Sequence, residues 1–190
     1  MKTLVISLRI FFFFTLLTGI AYPLLVTGIV QTLFPAKANG SIIISGNNMT
    51  GSLLIGQQFD SARYFSSRPS AVAYNPLPSG GSNFGLTSEK LRTMVADRKK
   101  AFIALNHLDR LADVPAEMLF SSASGLDPHI SPRAALMQAD RISEIRRFTG
   151  VQRNKLLQCI SQLTENPQYF CFGEERINVL LLNLEIDKIR

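Results

Sequence analysis

The residues best suited to chemistry lie in one loop, residues 121–133, which reads SSASGLDPHISPR. It sets a carboxylate, Asp127, two positions before an imidazole, His129, with Pro128 between them and serines on both sides. A carboxylate that orients an imidazole beside a hydroxyl is the arrangement that activates a serine for nucleophilic attack. A spacing of two about a proline does not place the two side chains together, and nothing else completes a triad. The pattern favours a structural role, with Asp127 bonding the backbone of the turn. Gly80-Gly81-Ser82-Asn83-Phe84-Gly85-Leu86-Thr87 has the glycine and threonine spacing of a phosphate-binding loop. Leu86 stands where that motif needs a lysine, and no apolar strand leads directly into it, so it reads as a turn-rich loop entering a helix. Two histidines, His107 and His129, and two cysteines, Cys159 and Cys171, form no metal-ligand spacing. Outside the cytoplasm the cysteines are able to pair; free buried thiols are the other reading.

These loops need elements to hold them. Residues 41–44 and 51–57 read as short strands, the second bounded by glycines. Arg63-Tyr64-Phe65 continues extended toward Arg68, which Pro69 biases away from helix. Residues 75–85 are loop. Thr87 or Ser88 caps a helix to about Asn106, with Leu91, Met94, Val95, Phe102 and Leu105 as its core stripe and Lys90, Arg92, Asp97, Arg98 and Lys99 on its wet side. Ser131 and Pro132 start a second helix that buries Ala135, Leu136, Ala139, Ile142 and Ile145 and ends near Gly150. A third runs from about Gln152 to Thr164, burying Leu156, Leu157, Ile160 and Leu163. Residues 169–172 are a short apolar segment. Residues 177–189 read as a last helix wedged into the core, where Asn178 and Asn183 need buried partners.

Residues 10–36 hold 27 positions and no formal charge. As helix this is about 40 Å, enough to cross a hydrocarbon layer of roughly 30 Å. Lys2 and Arg9 precede the run and only Lys37 follows it closely, which sets the N-terminus in the cytoplasm and the rest outside. Pro23 is tolerated in a membrane, and Gly19, Gly28 and the threonines at 15, 18 and 27 suit contact with other spans or simply bond their own backbone. A cleaved signal peptide is the rival reading, but its apolar stretch is usually shorter. The organisation is therefore residues 1–9 cytoplasmic, 10–36 transmembrane, and 37–190 extracytoplasmic. The fold class is α+β: a single N-terminal transmembrane helix, then a helix-rich mixed domain with a few short strands.

The net charge of +6 includes Lys2, Arg9 and Lys37; the remainder carries 17 basic against 14 acidic side chains. That balance excludes a nucleic-acid binder with a basic stripe and interleaved aromatics. The densest basic run, Arg98-Lys99-Lys100, reads as a solvated helix face.

Several stretches together resemble one family. They are Gly56-Gln57, Tyr64-Phe65, Arg68-Pro69-Ser70-Ala71, Ser79-Gly80-Gly81-Ser82-Asn83, residues 122–132, Gln138 with Arg141, Gly173-Glu174, and Arg176 through Asn178-Val179 to Asn183-Leu184. The whole chain, span included, is similar to the C subunit of the bacterial Kdp potassium-transporting ATPase. Leu163, Glu175 and Gln152 depart from the family's usual pattern. The resemblance implies a non-catalytic subunit in the bacterial inner membrane. Its partners would be a channel-like potassium-binding subunit, a P-type ATPase subunit and a small membrane peptide. It implies a role in stabilising the assembly and a catalytic chaperone role that raises the ATP affinity of the pump subunit. No cofactor would be held firmly, ATP at most being shared with the pump subunit. By motif position, Gln138 is the candidate nucleotide contact, and Arg68, Ser82, Asn83, Asp127, His129 and Arg141 are candidate partner contacts; no metal site is implied. The alternative from the residues alone is a membrane-anchored extracytoplasmic hydrolase using Asp127 and His129.

Overall fold

The computed structural model describes residues 1–45, 48–169 and 171–189. The chain divides into two compact units, Met1–Thr50 and Gly51–Arg190. The first is dominated by one long helical rod, Lys2–Leu33, long and apolar enough to cross a membrane. It consists of α1 (Lys2–Leu16), a π turn (Leu17–Ala21) and α2 (Tyr22–Leu33). The π turn has a local cause. Pro23 has no N–H to return to the carbonyl four residues back, and a widened turn just before it keeps the rod continuous. Thr15 and Thr18 return their hydroxyls to the carbonyls of Phe11 and Phe14, at 2.8 and 2.7 Å, so neither carries an open polar group along the apolar rod. The rod stops at Phe34, whose φ of −136° leaves the helical region ahead of Pro35. A single turn α3 (Pro35–Ala38) and a hairpin of β1 (Ile42–Ser45) with β2 (Asn48–Ser52) follow. The strand expected over 51–57 is not formed; the extended segment is β2, and residues 53–55 turn. Gly46 and Asn47 of the expected neck lie outside the described residues.

The second unit is built on helices. Ser88 caps α4 (Glu89–Leu105), its hydroxyl accepting from Leu91 N at 3.4 Å. Only Phe102 of the expected stripe is buried. Arg98 is turned inward instead, donating to Leu119 O at 2.8 Å and so tying α4 to the residue that ends the 3-10 turn Ala116–Met118. Ser131 caps α5 (Pro132–Ile145), with Pro132 at the first helical position, where its missing N–H costs nothing. The helix stops at Ile145 rather than near Gly150. Thr149 opens α6 (Gly150–Gln162), exchanging hydrogen bonds with Gln152 in a capping box. Gln152 is thus the reciprocal partner of the cap, the reason it is not itself a small capping residue.

Ile142, Leu156 and Leu182 are fully buried and Ile160 nearly so, whereas Leu136 and Ile145 stand 51% and 44% exposed despite fitting the helical period. Each fully buried aliphatic contributes roughly 1.5–3 kcal/mol, so this layer of α5, α6 and the final helix carries the domain. The C-terminal element is split. Ile177–Asn178 form β4, antiparallel to β3 (His129–Ile130), and α7 (Val179–Ile186) follows. Asn178 is the reason for the split: its side chain accepts from Leu180 N and Leu181 N, capping α7, while its amide donates to Leu53 O at 2.8 Å. Gln168 and Phe172 form an isolated antiparallel bridge, with Tyr169 and Phe172 exposed; Phe170 lies outside the described residues. Cys159, partly exposed, and Cys171, exposed, are free thiols.

Candidate functional site

The 121–133 loop is stitched into the domain from four directions. Gly125 adopts φ +71°, the left-handed region that suits glycine, and turns the chain back on itself. Ser124 Oγ accepts from Leu126 N at 3.1 Å. Gly56 N donates to Leu126 O at 2.7 Å, Gly80 N to Ser124 O at 2.9 Å and Val179 N to Pro128 O at 2.9 Å. The approach at Gly56 is so close that a Cβ there would sit 2.7 Å from the Asp127 carbonyl oxygen. The register pair His129↔Asn178 completes the frame.

Within that frame Asp127 is clasped from two sides. Arg68 Nη1 lies 2.6 Å from its Oδ2. Oδ1 accepts from the His129 backbone N–H at 3.0 Å and sits 3.1 Å from His129 Nδ1. The structure therefore corrects the expectation that the spacing keeps Asp127 and His129 apart: the turn about Pro128 brings both the amide and the ring of residue 129 onto one carboxylate oxygen. Asp127 does bond the turn backbone, as expected. Burial pushes its carboxyl up, but the His129 ring and backbone hydrogen bonds and the Arg68 charge outweigh this and hold it below the ordinary carboxylate value. Arg68 is held in turn by its own backbone, whose carbonyl accepts from the Tyr74 hydroxyl. Burial raises the Tyr74 hydroxyl above its usual pKa, so it stays a donor. The Arg68 Nε is buried and has no hydrogen-bond partner among the described residues.

The three side chains line two open clefts. One, about 610 Å³, is walled by Leu54, Ile55 and residues of the Ser122–Pro128 loop other than Gly125. The other, about 440 Å³, is walled by Glu117, Glu174, Glu175 and Arg176. The ensemble has a cation and an anion side by side, an imidazole, an apolar wall on one side and an acidic one on the other. Such a surface can recognise a polar partner. Among the described residues, no serine hydroxyl bonds the His129 ring, although Ser122, Ser124 and Ser131 line the clefts.

Of the other expected contacts, Ser82 is partly exposed and Asn83 exposed, in the loop whose Gly80 anchors residue 124. Gln138 and Arg141 lie elsewhere, wholly inside, at 0% and 1% exposure. Arg141 Nε donates to Asn106 Oδ1 at 2.8 Å, its Nη2 to Tyr64 O and Gln138 Oε1, each at 3.1 Å, and its Nη1 to Ala62 O. Gln138 Oε1 also accepts from Ser66 N at 2.8 Å, and its Nε2 donates to Ala134 O at 3.2 Å. Together they clamp the 62–66 segment that leads to Arg68. A nucleotide meets Gln138 only after that segment leaves α5. Burial lowers the Arg141 guanidinium to about 10, and its acceptors are all neutral. Sequence reasoning missed Tyr74, Asn106 and Ser122, whose Oγ accepts from Asp127 N at 3.5 Å. Only Ser122, within the serine-rich run, carried a local signal.

A family model described as "KdpC: K+-transporting ATPase, c chain" matches residues 4–188. A Polaromonas naphthalenivorans potassium-transporting ATPase KdpC subunit is 46% identical, covering 97% of this chain and 93% of its own. The KdpC subunit of Geotalea uraniireducens is 44% identical over 100% of this chain and 99% of its own, and that of Escherichia coli 42% identical over 96% of each. With nearly the whole sequence matched, the chain belongs to the KdpC family, the c chains of K+-transporting ATPases.

Proposed function

We propose that this chain is a non-catalytic subunit of an ATP-driven potassium importer of the bacterial inner membrane. It docks through the Arg68–Asp127–His129 surface and its apolar rod onto the channel-like potassium-binding subunit, the P-type ATPase subunit and the small membrane peptide. The observation that carries this reading is the surface itself. It is a charged, hydrogen-bonded cluster, drawn from segments 59 residues apart, partly open to solvent, in which no serine hydroxyl bonds the His129 ring among the described residues. Its N-terminus faces the cytoplasm and its domain the outside, which the charges at Lys2 and Arg9 support. The enclosure of Gln138 favours an indirect action on ATP affinity, a chaperone effect exerted through assembly rather than a nucleotide held by this chain. The test is affinity purification of the tagged full chain from bacterial membranes. The expected result is co-purification of the three partner subunits, lost on Asp127→Asn; a chain that purifies alone overturns the proposal. Proteolysis of intact right-side-out cells tests the orientation. Digestion only after permeabilisation reverses it and makes direct ATP contact the better reading.

A further inference from the structure

A second groove lies away from the Asp127 cleft, along the C-terminal half of α4. It encloses about 920 Å³. Half its lining is apolar: Ile103 and Leu108 with the small Ala96 and Ala104. The other half is basic: Lys99, Lys100, His107 and Arg110. Among the described residues these four side chains make no ion pair and no hydrogen bond, although the Lys99 charge acts on Asp113 at longer range. Positions 96, 99, 100, 103 and 104 follow the i, i+3, i+4 recurrence of one face of α4, on a different side from buried Phe102, while Ile103 and Leu108 also rest against the domain core.

The chain reverses at the groove's end in a Schellman turn. His107 N donates to Ala104 O at 3.4 Å and Leu108 N to Ile103 O at 3.0 Å. The turn's left-handed position, φ +52°, is taken by His107, where glycine is the conformationally cheap residue. A cation-capable ring is thereby set at the groove's end against local preference.

We infer that this groove docks an acidic amphipathic helix of a partner polypeptide. The complementarity is of charge and shape. Lys99 lies about 9 Å along the helix axis from the end of α4 at Leu105, and His107 stands beyond that end, so the basic groups match acidic residues about two turns apart on a helix laid alongside. One lipid phosphate spans no such distance. Ala96 and Ala104 allow the close approach that helix-in-groove recognition uses. The inference does not depend on the Asp127 surface or on the transport reading.

The test places a photo-reactive benzoylphenylalanine at Ala104 in the full chain in its native membrane, with Gln158 on α6 as the reference position. The expected adduct is a peptide of another polypeptide with acidic residues at two-turn spacing on one face of an apolar helix. Lys99→Glu with Lys100→Glu should reduce it at least tenfold while lowering the thermal melt only slightly, since neither side chain makes a hydrogen bond or ion pair among the described residues and Lys99 acts on Asp113 only at longer range. His107→Gly should relieve the turn, keep or raise the melting temperature, and still reduce the adduct severalfold. An adduct with lipid, with a non-acidic segment, or at no higher yield than from Gln158 overturns the inference. So does an adduct indifferent to the charge reversal.

Discussion

The side chain of Asn183 completes both backbone hydrogen bonds of Phe65. Its Oδ1 accepts from Phe65 N at 2.8 Å and its Nδ2 donates to Phe65 O at 3.0 Å, across 118 residues of sequence. An amide on α7 thus does what a neighbouring strand would do, and the extended segment before Arg68 needs no sheet. Asn183→Ala leaves a buried N–H and a buried C=O without partners. The expected loss is about 2–4 kcal/mol, read as a lowered melting temperature of the detergent-solubilised chain. Asn183→Leu, which fills the volume, should not recover it.

Arg141 should prove at least as costly. Arg141→Met removes donors from four carbonyl oxygens inside the domain, for an expected loss of about 3 kcal/mol or more. Arg141→Lys should restore less than half of that, because a compact ammonium cannot reach acceptors arranged for a planar fork. Denaturant titration of the two variants side by side checks this.

Asp127 gives the domain an acid-sensitive contribution. Its folded carboxyl lies below the unfolded value of about 3.9, so the unfolded chain takes up the proton first as pH falls. The contribution, about 1–2 kcal/mol, is complete above roughly pH 5 and disappears as pH drops below about 4 through the folded value. Asp127→Asn should lower stability at pH 7 and flatten the slope of stability against pH in that acidic range. An unchanged slope would remove the Arg68 and His129 contacts as its cause.

Gly125→Ala tests the frame without touching a charged group. The added Cβ meets Gly80 O at 2.9 Å and Val72 Cγ2 at 2.7 Å, on a backbone at φ +71°. A loss of at least about 1 kcal/mol is expected, together with weaker co-purification of partner subunits. A stable variant that still assembles would separate the loop's shape from docking.

His129→Ala separates recognition from hydrolysis. The expected phenotype is impaired growth at limiting potassium and impaired assembly, with no change in any ester or peptide hydrolysis by the purified chain. Replacing residues 10–36 by a polyleucine span should keep membrane attachment and weaken the complex. Unchanged assembly would reduce the rod to a tether.

Much of the architecture was legible because its causes are local. The uncharged run, the Ser88 and Ser131 caps and the loop over residues 121–133 each depend on residues a few positions apart. Asn178 and Asn183 were recognisable as needing partners, though not which ones. The apolar stripe of α4 was misread because periodicity reports an amphipathic face, not whether a neighbour covers it. Leu105 is 42% exposed on that account, while Arg98, polar by composition, is the side chain that reaches inward. Gly150 was taken for a helix end because glycine suits both that role and a helix start; Thr149 and Gln152 decided between them.

By itself, then, the sequence determined the apolar helix long enough to cross a membrane, the α+β class, the main helices and the loop in which Asp127 and His129 stand, since hydrophobic runs, caps and turns act over a few residues. The tertiary structure alone decided that Asp127 and His129 share an oxygen, that Arg68 reaches them from 59 residues away, and that Gln138 and Arg141 face inward. Those outcomes depend on which distant backbone groups are left without partners once the core closes. Burial makes each such group expensive until some side chain satisfies it.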